Sequence, residues 1–195
     1  MHAQLFLMQQ IILASQSPRR KQLLEWAEVP FEVIVKHTNE DFPEGMAIEE
    51  VPIFIARQKA VAVKTALKND QKIILAADTV VVLENEIIGK PVDREDAIRI
   101  LTSLSGQLHK VITGVVLLHP KGEIAFADVT FVAFHELSNE QIIFYVDKYK
   151  PYDKAGAYAI QEWIGVVGIK NVQGDFYNVM GLPVSRVVKE LKKIN

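Results

Sequence analysis

Residues 73–83 read Ile-Ile-Leu-Ala-Ala-Asp-Thr-Val-Val-Val-Leu. The stretch is apolar and rich in β-branched residues, without the alternation of a half-solvated strand, so it predicts a central strand covered on both faces. Asp78 and Thr79 interrupt it. An ionised carboxylate in such surroundings loses several kcal/mol of solvation unless it is paired or metal-bound. A strand end opening into a cleft would resolve the conflict, and Asp78 is expected at one. Two readings of the residue stand open: a catalytic base or metal ligand, or a carboxylate answered by an internal arginine.

Working outward, Ile11 to Ala14 is a short apolar run followed by Ser15-Gln16-Ser17-Pro18, after which Leu23, Leu24 and Ala27 recur at helical spacing. Ser17 can cap that helix, with Pro18 at its first position. The apolar stretch Leu5 to Ala14 lacks a basic n-region and a small-residue cleavage pattern, so it reads as a first strand and not as a signal peptide. Phe31 to Val35 reads as a strand, Lys36 to Gly45 as a loop, and a helix is expected from near Pro52 to near Asn69. Arg94 to Leu104 has helical periodicity closing at Gly106. Val111 to Leu118 and Ile124 to Phe134 read as antiparallel strands joined by the turn His119-Pro120-Lys121-Gly122. Ser138 to Tyr149 reads as a capped helix, Val166 to Val172 as a late strand and Pro183 to Ile194 as a closing helix. Helices and strands alternate throughout, which predicts an α/β fold with a mixed twisted sheet flanked by helices. No linker or repeat interrupts residues 1–195, so one domain is expected.

The absence of cysteine excludes disulfides, thiolate zinc sites, iron–sulfur clusters and a cysteine nucleophile, leaving oxygen and nitrogen groups to carry any chemistry. It also fits a reducing compartment, and a cytoplasmic location is expected. With 22 basic against 24 acidic residues and a net charge of -2, no nucleic-acid partner is expected. No apolar run is long enough to span a membrane. Walker-type, Gly-x-Gly-x-x-Gly and His-Glu-x-x-His motifs are all missing.

Several segments could carry function. Ser15-Gln16-Ser17-Pro18-Arg19-Arg20 joins a strand to a helix through small polar residues, offering amide hydrogens and fixed charge to an anion; the same letters also describe a capped helix with solvated arginines. Glu40 and Asp41 could supply oxygen to a hard cation such as Mg²⁺, or be simply solvated. Lys59 in a mostly apolar helical stretch and Lys90 in Gly89-Lys90-Pro91 are either surface lysines or neutralise phosphate. Within Asp153-Lys154-Ala155-Gly156-Ala157-Tyr158-Ala159-Ile160-Gln161, the Gln161 amide can read a base edge, though tight turns use similar residues. Gly174 to Pro183 reads as a turn into the last helix.

Taken in order, these segments resemble the Maf family of nucleoside triphosphate pyrophosphatases nearly end to end. The resemblance rests on Leu13 to Arg20, Ala77-Asp78-Thr79-Val80, Gly89-Lys90-Pro91, Thr113-Gly114-Val115, Asp153 to Gln161 and Asn178 to Pro183. It implies an inosine-triphosphatase-like fold of two lobes around a cleft, and hydrolysis between the α and β phosphates of a nucleotide with a divalent cation, Mg²⁺, Mn²⁺ or Co²⁺. By motif position Asp78 would be the general base and, with Glu40, a metal contact. Ser15, Arg19, Arg20, Lys59, Lys90, Asp153 and Lys154 would bind substrate. The Asp-Lys-Ala-Gly-Ala-Tyr form is similar to the branch acting on dTTP and UTP, in which Arg19, Thr79 and Gln161 correspond to specificity positions. Ala159 stands where the branch usually has a glycine, and Glu162-Trp163 follows Gln161 where small residues are common. The resemblance leaves a homodimer open, and it also carries an association with septum formation, so a nucleotide-binding regulator without turnover is the alternative.

Overall fold

The computed structural model describes residues 9–67 and 71–194. Leu5 to Met8 of the expected first strand and the expected helix end near Asn69 lie outside these residues. The chain forms β1 (Ile11–Leu13), α1 (Pro18–Trp26), β2 (Phe31–Val33), α2 (Val51–Ala66), β3 (Ile74–Leu83), β4 (Glu86–Ile88), α3 (Arg94–Leu104) and β5 (Leu108–His119). It continues with β6 (Gly122–Phe134), α4 (Asn139–Tyr149), a 3₁₀ turn at Ala155–Ala157, α5 (Trp163–Gly168), β7 (Ile169–Gln173), α6 (Phe176–Met180) and α7 (Val184–Ile194). The strands run β2-β1-β3-β5-β6-β7 across one mixed sheet, with β4 added to β3. β1 pairs in parallel with β2 and β3, whereas β4 on β3 and β7 on β6 are antiparallel. Among the described residues no helix is long and apolar enough to cross a membrane.

The chain divides into two compact units. The first comprises residues 1–78, 114–127 and 182–195; the second comprises 79–113 and 128–181. In the first, side-chain periodicity builds the core directly. Ala56, Ala60 and Val63 form one stripe of α2, packed on Ile12 of β1 and Ala14 just past it, and on Ile74 and Ala76 of β3 and Val116 and Leu118 of β5, all even-numbered positions. Gly114 continues that face, and only glycine fits there: a Cβ would stand 2.2 Å from the Ile53 nitrogen and 2.3 Å from the Pro52 carbonyl carbon. The start of α2 therefore rests on bare β5 backbone. Arg57 further ties α2 to β6 through a bidentate pair with Glu123 at 2.8–3.1 Å.

In the second unit, His109, Phe134 and Tyr158 pack edge to face, and His109 Nε2 lies 2.8 Å from the Tyr158 hydroxyl. Burial pushes the His109 pKa down to about 4 and raises that of Tyr158, because neither charged form is solvated there. Arg94 of α3 forks onto Asp147 of α4. Ser138 and Gln141 form the capping box that starts α4.

Three sequence expectations need correction. Val166 and Val167 belong to α5, and the strand begins only at Ile169. Their β-branched run resembles a strand, but Val166 is 81% exposed and Gly165 packs against the Ile160 carbonyl, where a Cβ would be 1.7 Å away. That close approach holds the segment in a helical turn. Asp78, in turn, lies in the middle of β3, not at its end. Part of the expected turn from Gly174 to Pro183 is the five-residue α6, capped by the Asp175 carboxylate.

Candidate active site

Even-numbered residues of β3 face α2, so after Ile74 and Ala76 the next on that face is Asp78. Its carboxylate meets not another apolar group but Lys59, adjacent to Ala60 on the helix, with Nζ 2.7 Å from Asp78 Oδ1. The same ammonium reaches Glu40 Oε1 at 2.8 Å. The Asp78 side chain retains 13% of its exposure and Lys59 retains 17%. Residues 74–77 and 80–82 of β3 are buried, whereas Asp78 and Thr79 are both partly open. Because consecutive residues point to opposite faces, this is a place where neither face of the strand is sealed.

The loop after β1 supplies the rest of this cluster. Ser17 caps α1 by accepting from the Arg20 amide, as its sequence predicts, with Pro18 at the first helical position. Ser15 Oγ accepts from the Ser17 amide and from Arg20 Nη1, both at 3.2 Å. Those two bonds use its lone pairs, so its own hydrogen is what it presents to a ligand. Arg20 is buried. Desolvation pulls its pKa below the ordinary arginine value, opposed mainly by the nearby charge of Asp78 and, more weakly, of Glu40. Ser15, Arg20, Glu40, Lys59 and Asp78 thus form one set in the first unit, to which α1 also contributes the half-buried Arg19.

The second unit gathers the other predicted residues. The Gly156 amide donates to the Gly89 carbonyl at 3.1 Å, so Gly89-Lys90-Pro91 is tied to Asp153 to Gln161. Gly156 has φ +69° and lies against Val81, which a Cβ would meet at 2.9 Å; a side chain is refused on both grounds. Lys154 is buried, with Nζ 2.7 Å from Asp153 and 3.7 Å from Glu162. Tyr145 donates to the other Glu162 oxygen and accepts from the Ala159 amide. Lys90 and Gln161 are exposed. Thr79 Oγ1 lies 2.9 Å from Thr113 Oγ1, on the face of β3 opposite Asp78.

The family's sequence profile, described as Maf-like protein, matches residues 10–194. The chain belongs to the Maf family. A protein of Porphyromonas gingivalis named dTTP/UTP pyrophosphatase is 48% identical over 93% of this chain and 92% of its own. One of the same name from Cytophaga hutchinsonii is 48% identical, covering 94% and 84%. A third, from Parabacteroides distasonis, is 45% identical, covering 93% and 94%. Among solved structures, the Ham1 protein of Staphylococcus aureus matches 93% of this chain and 100% of its own at 18% identity, with a TM-score of 0.50. At that identity the likeness concerns the fold alone, and it agrees with the expected inosine-triphosphatase-like α/β architecture.

Sequence reasoning did not single out Glu162 or Tyr145 as supports of Lys154. Tyr145 falls on the buried stripe of α4, where periodicity cannot distinguish a hydroxyl that bridges two groups from an aromatic core residue. Glu162 was visible as a departure from small residues, without a sign of what it would hold.

Proposed function

We propose that the chain hydrolyses nucleoside triphosphates, dTTP and UTP foremost, to the monophosphate and pyrophosphate. The observation that carries this reading is Asp78 itself: a carboxylate on a core-facing strand position, partly open, beside Lys59 and the buried Arg20. A structural ion pair alone would not require the serine hydroxyl and second carboxylate gathered around it. The names borne by the Porphyromonas and Cytophaga relatives support the same reaction and bases.

In this reading Asp78 accepts a proton from a water that attacks the α phosphorus. The new bond joins the water oxygen to that phosphorus, and the bond to the oxygen bridging the α and β phosphates breaks. Ser15 donates to a phosphate oxygen, while Arg20, Lys59 and Lys90 neutralise the charge that accumulates on departing pyrophosphate. Lys154, oriented by Asp153, also binds the substrate; Arg19, Thr79 and Gln161 read the base. Glu40 and Asp78 direct oxygens to the one point now taken by the Lys59 ammonium, a hard donor set suited to Mg²⁺, Mn²⁺ or Co²⁺. Among the described residues no three acidic or histidine groups cluster to cage a metal, so such an ion would be shared with substrate phosphates and waters. Bound there, the cation would supply charge stabilisation at the phosphates.

A panel of canonical triphosphates read by pyrophosphate release, with each of the three cations, tests this. Turnover concentrated on dTTP and UTP is expected. Stoichiometric UTP binding without pyrophosphate release would overturn it and favour a nucleotide-binding regulator.

A further inference from the structure

Within the second unit, Gln161 is the exposed member of a turn that is fixed at both ends. The Glu162 amide donates back to the Ala159 carbonyl at 3.1 Å, which closes the turn over Ile160 and Gln161. Ile160 is buried at the first corner, and its carbonyl packs against Gly165, where a Cβ would stand 1.7 Å from the oxygen. Tyr145 of α4, wholly buried, then crosses the turn. Its hydroxyl accepts from the Ala159 amide at 3.2 Å and donates to Glu162 Oε2, so one phenol oxygen joins the first residue of the turn to the last. The other Glu162 oxygen lies 3.7 Å from the Nζ of the buried Lys154. Glu162 is also the N-cap of α5, where a side-chain oxygen ordinarily accepts from amides of its own helix, yet it makes no such bond. Its carboxylate serves the turn and not the helix.

We infer that Tyr145 and Glu162 are positioning residues that hold Gln161 at one fixed reach and thereby set the ring size of the base. This rests on the reading of Gln161 as a base contact. The amide carries both donors and an acceptor, so by itself it can pair with the edge of a pyrimidine or of a purine. What separates the two is distance: the pairing edge of a purine lies farther from its sugar, because a second ring intervenes. An amide on a loose loop would follow either edge, whereas one on a stapled turn meets only one of them without moving. In the proposed reaction that edge is the pyrimidine's. A turn already ordered in the free protein also loses less conformational freedom when the base arrives.

The test is the UTP-to-ATP ratio, read as kcat/KM for pyrophosphate release and as calorimetric affinity for the α,β-methylene analogues of the two nucleotides. The wild-type protein should prefer UTP by at least about tenfold, and Gln161→Ala should shrink the ratio by about that factor, the weight of one hydrogen bond. Tyr145→Phe, which removes only the hydroxyl, and Glu162→Ala should each do the same with Gln161 still in place. Glu162→Gln, whose amide oxygen still accepts from Tyr145, should keep the ratio near its wild-type value. Added to Gln161→Ala, Tyr145→Phe should shrink the ratio no further, since the hydroxyl acts through that amide; a merely structural role would lower both nucleotides alike. Equal wild-type handling of UTP and ATP overturns the inference whichever variants fold. An unchanged ratio in folded Tyr145→Phe or Glu162→Ala, where Gln161→Ala has shrunk it, overturns the inference and leaves Gln161 as the base reader. Loss of the ratio in Glu162→Gln would assign the effect to the charge beside Lys154 and overturn it too. A ratio unmoved by Gln161→Ala overturns both the base contact and the inference. Analogue binding whose selectivity follows these variants, without any pyrophosphate release, would overturn the proposed reaction and support the positioning role. Failure of the wild-type protein to bind either analogue or hydrolyse either nucleotide overturns both.

Discussion

Replacing Lys59 by Met removes the ammonium that Asp78 and Glu40 share while keeping most of the stem that packs beside Ala60. At 2.7 Å and an effective dielectric of about 20, the gross attraction between Lys59 and Asp78 is ~6 kcal/mol, most of it offset by the cost of taking both groups from water. Breaking a fully buried pair costs ~3–5 kcal/mol because one charge is left behind. Here each side chain keeps some exposure and Arg20 stands near Asp78, so about 2–3 kcal/mol is expected for Lys59→Met at neutral pH. The isolating measurement is a double-mutant cycle of Lys59→Met, Asp78→Asn and their combination, by urea unfolding. The double variant should be more stable than the sum of the two losses by ~1–2 kcal/mol, because with both substitutions in place neither partner leaves a stranded charge. A coupling below ~0.5 kcal/mol would mark a solvent-screened surface pair. It would refute the view that the β3 carboxylate is held by this lysine.

Gly114→Ala should cost about 3 kcal/mol by urea unfolding, the upper end of overpacking, since its Cβ meets the backbone of Ile53 at 2.2 Å and not a side chain that can move. Pyrophosphate release should fall as well, because displacing α2 displaces Lys59. His109 binds its proton at about 4 in the folded chain against 6.5 when exposed, so between those values the unfolded chain holds more protons. Stability is therefore full above 6.5 and declines as pH falls towards 4, by about 3 kcal/mol in all. Unfolding midpoints measured across that range should show a flatter profile for His109→Gln.

Much of the fold was legible because its signals are local. Ser17-Pro18, Ser138 with Gln141, and the periodicity of Arg94 to Leu104 each specify a helix within a few residues, and each helix stands where expected. Val166 and Val167 misled because a six-residue helix is too short to show a period, and the contact that holds it lies at Ile160, outside the run. Asp78 was legible as an anomaly but not as a mid-strand residue. Its solvation comes from Lys59, nineteen positions earlier in the chain, and only the pairing of even strand positions with α2 brings them together. Lys154 and Gln161 were marked by their segment, whereas the hydroxyl and carboxylate behind Lys154 emerge only once α4 packs.

The most direct test of the account is the rate of pyrophosphate release from saturating UTP with Mg²⁺ by Asp78→Asn, in protein shown by urea unfolding to be folded. Loss of the proton acceptor should lower kcat by about 100-fold or more. Near-normal turnover in the folded variant would contradict the assignment of Asp78 as the base.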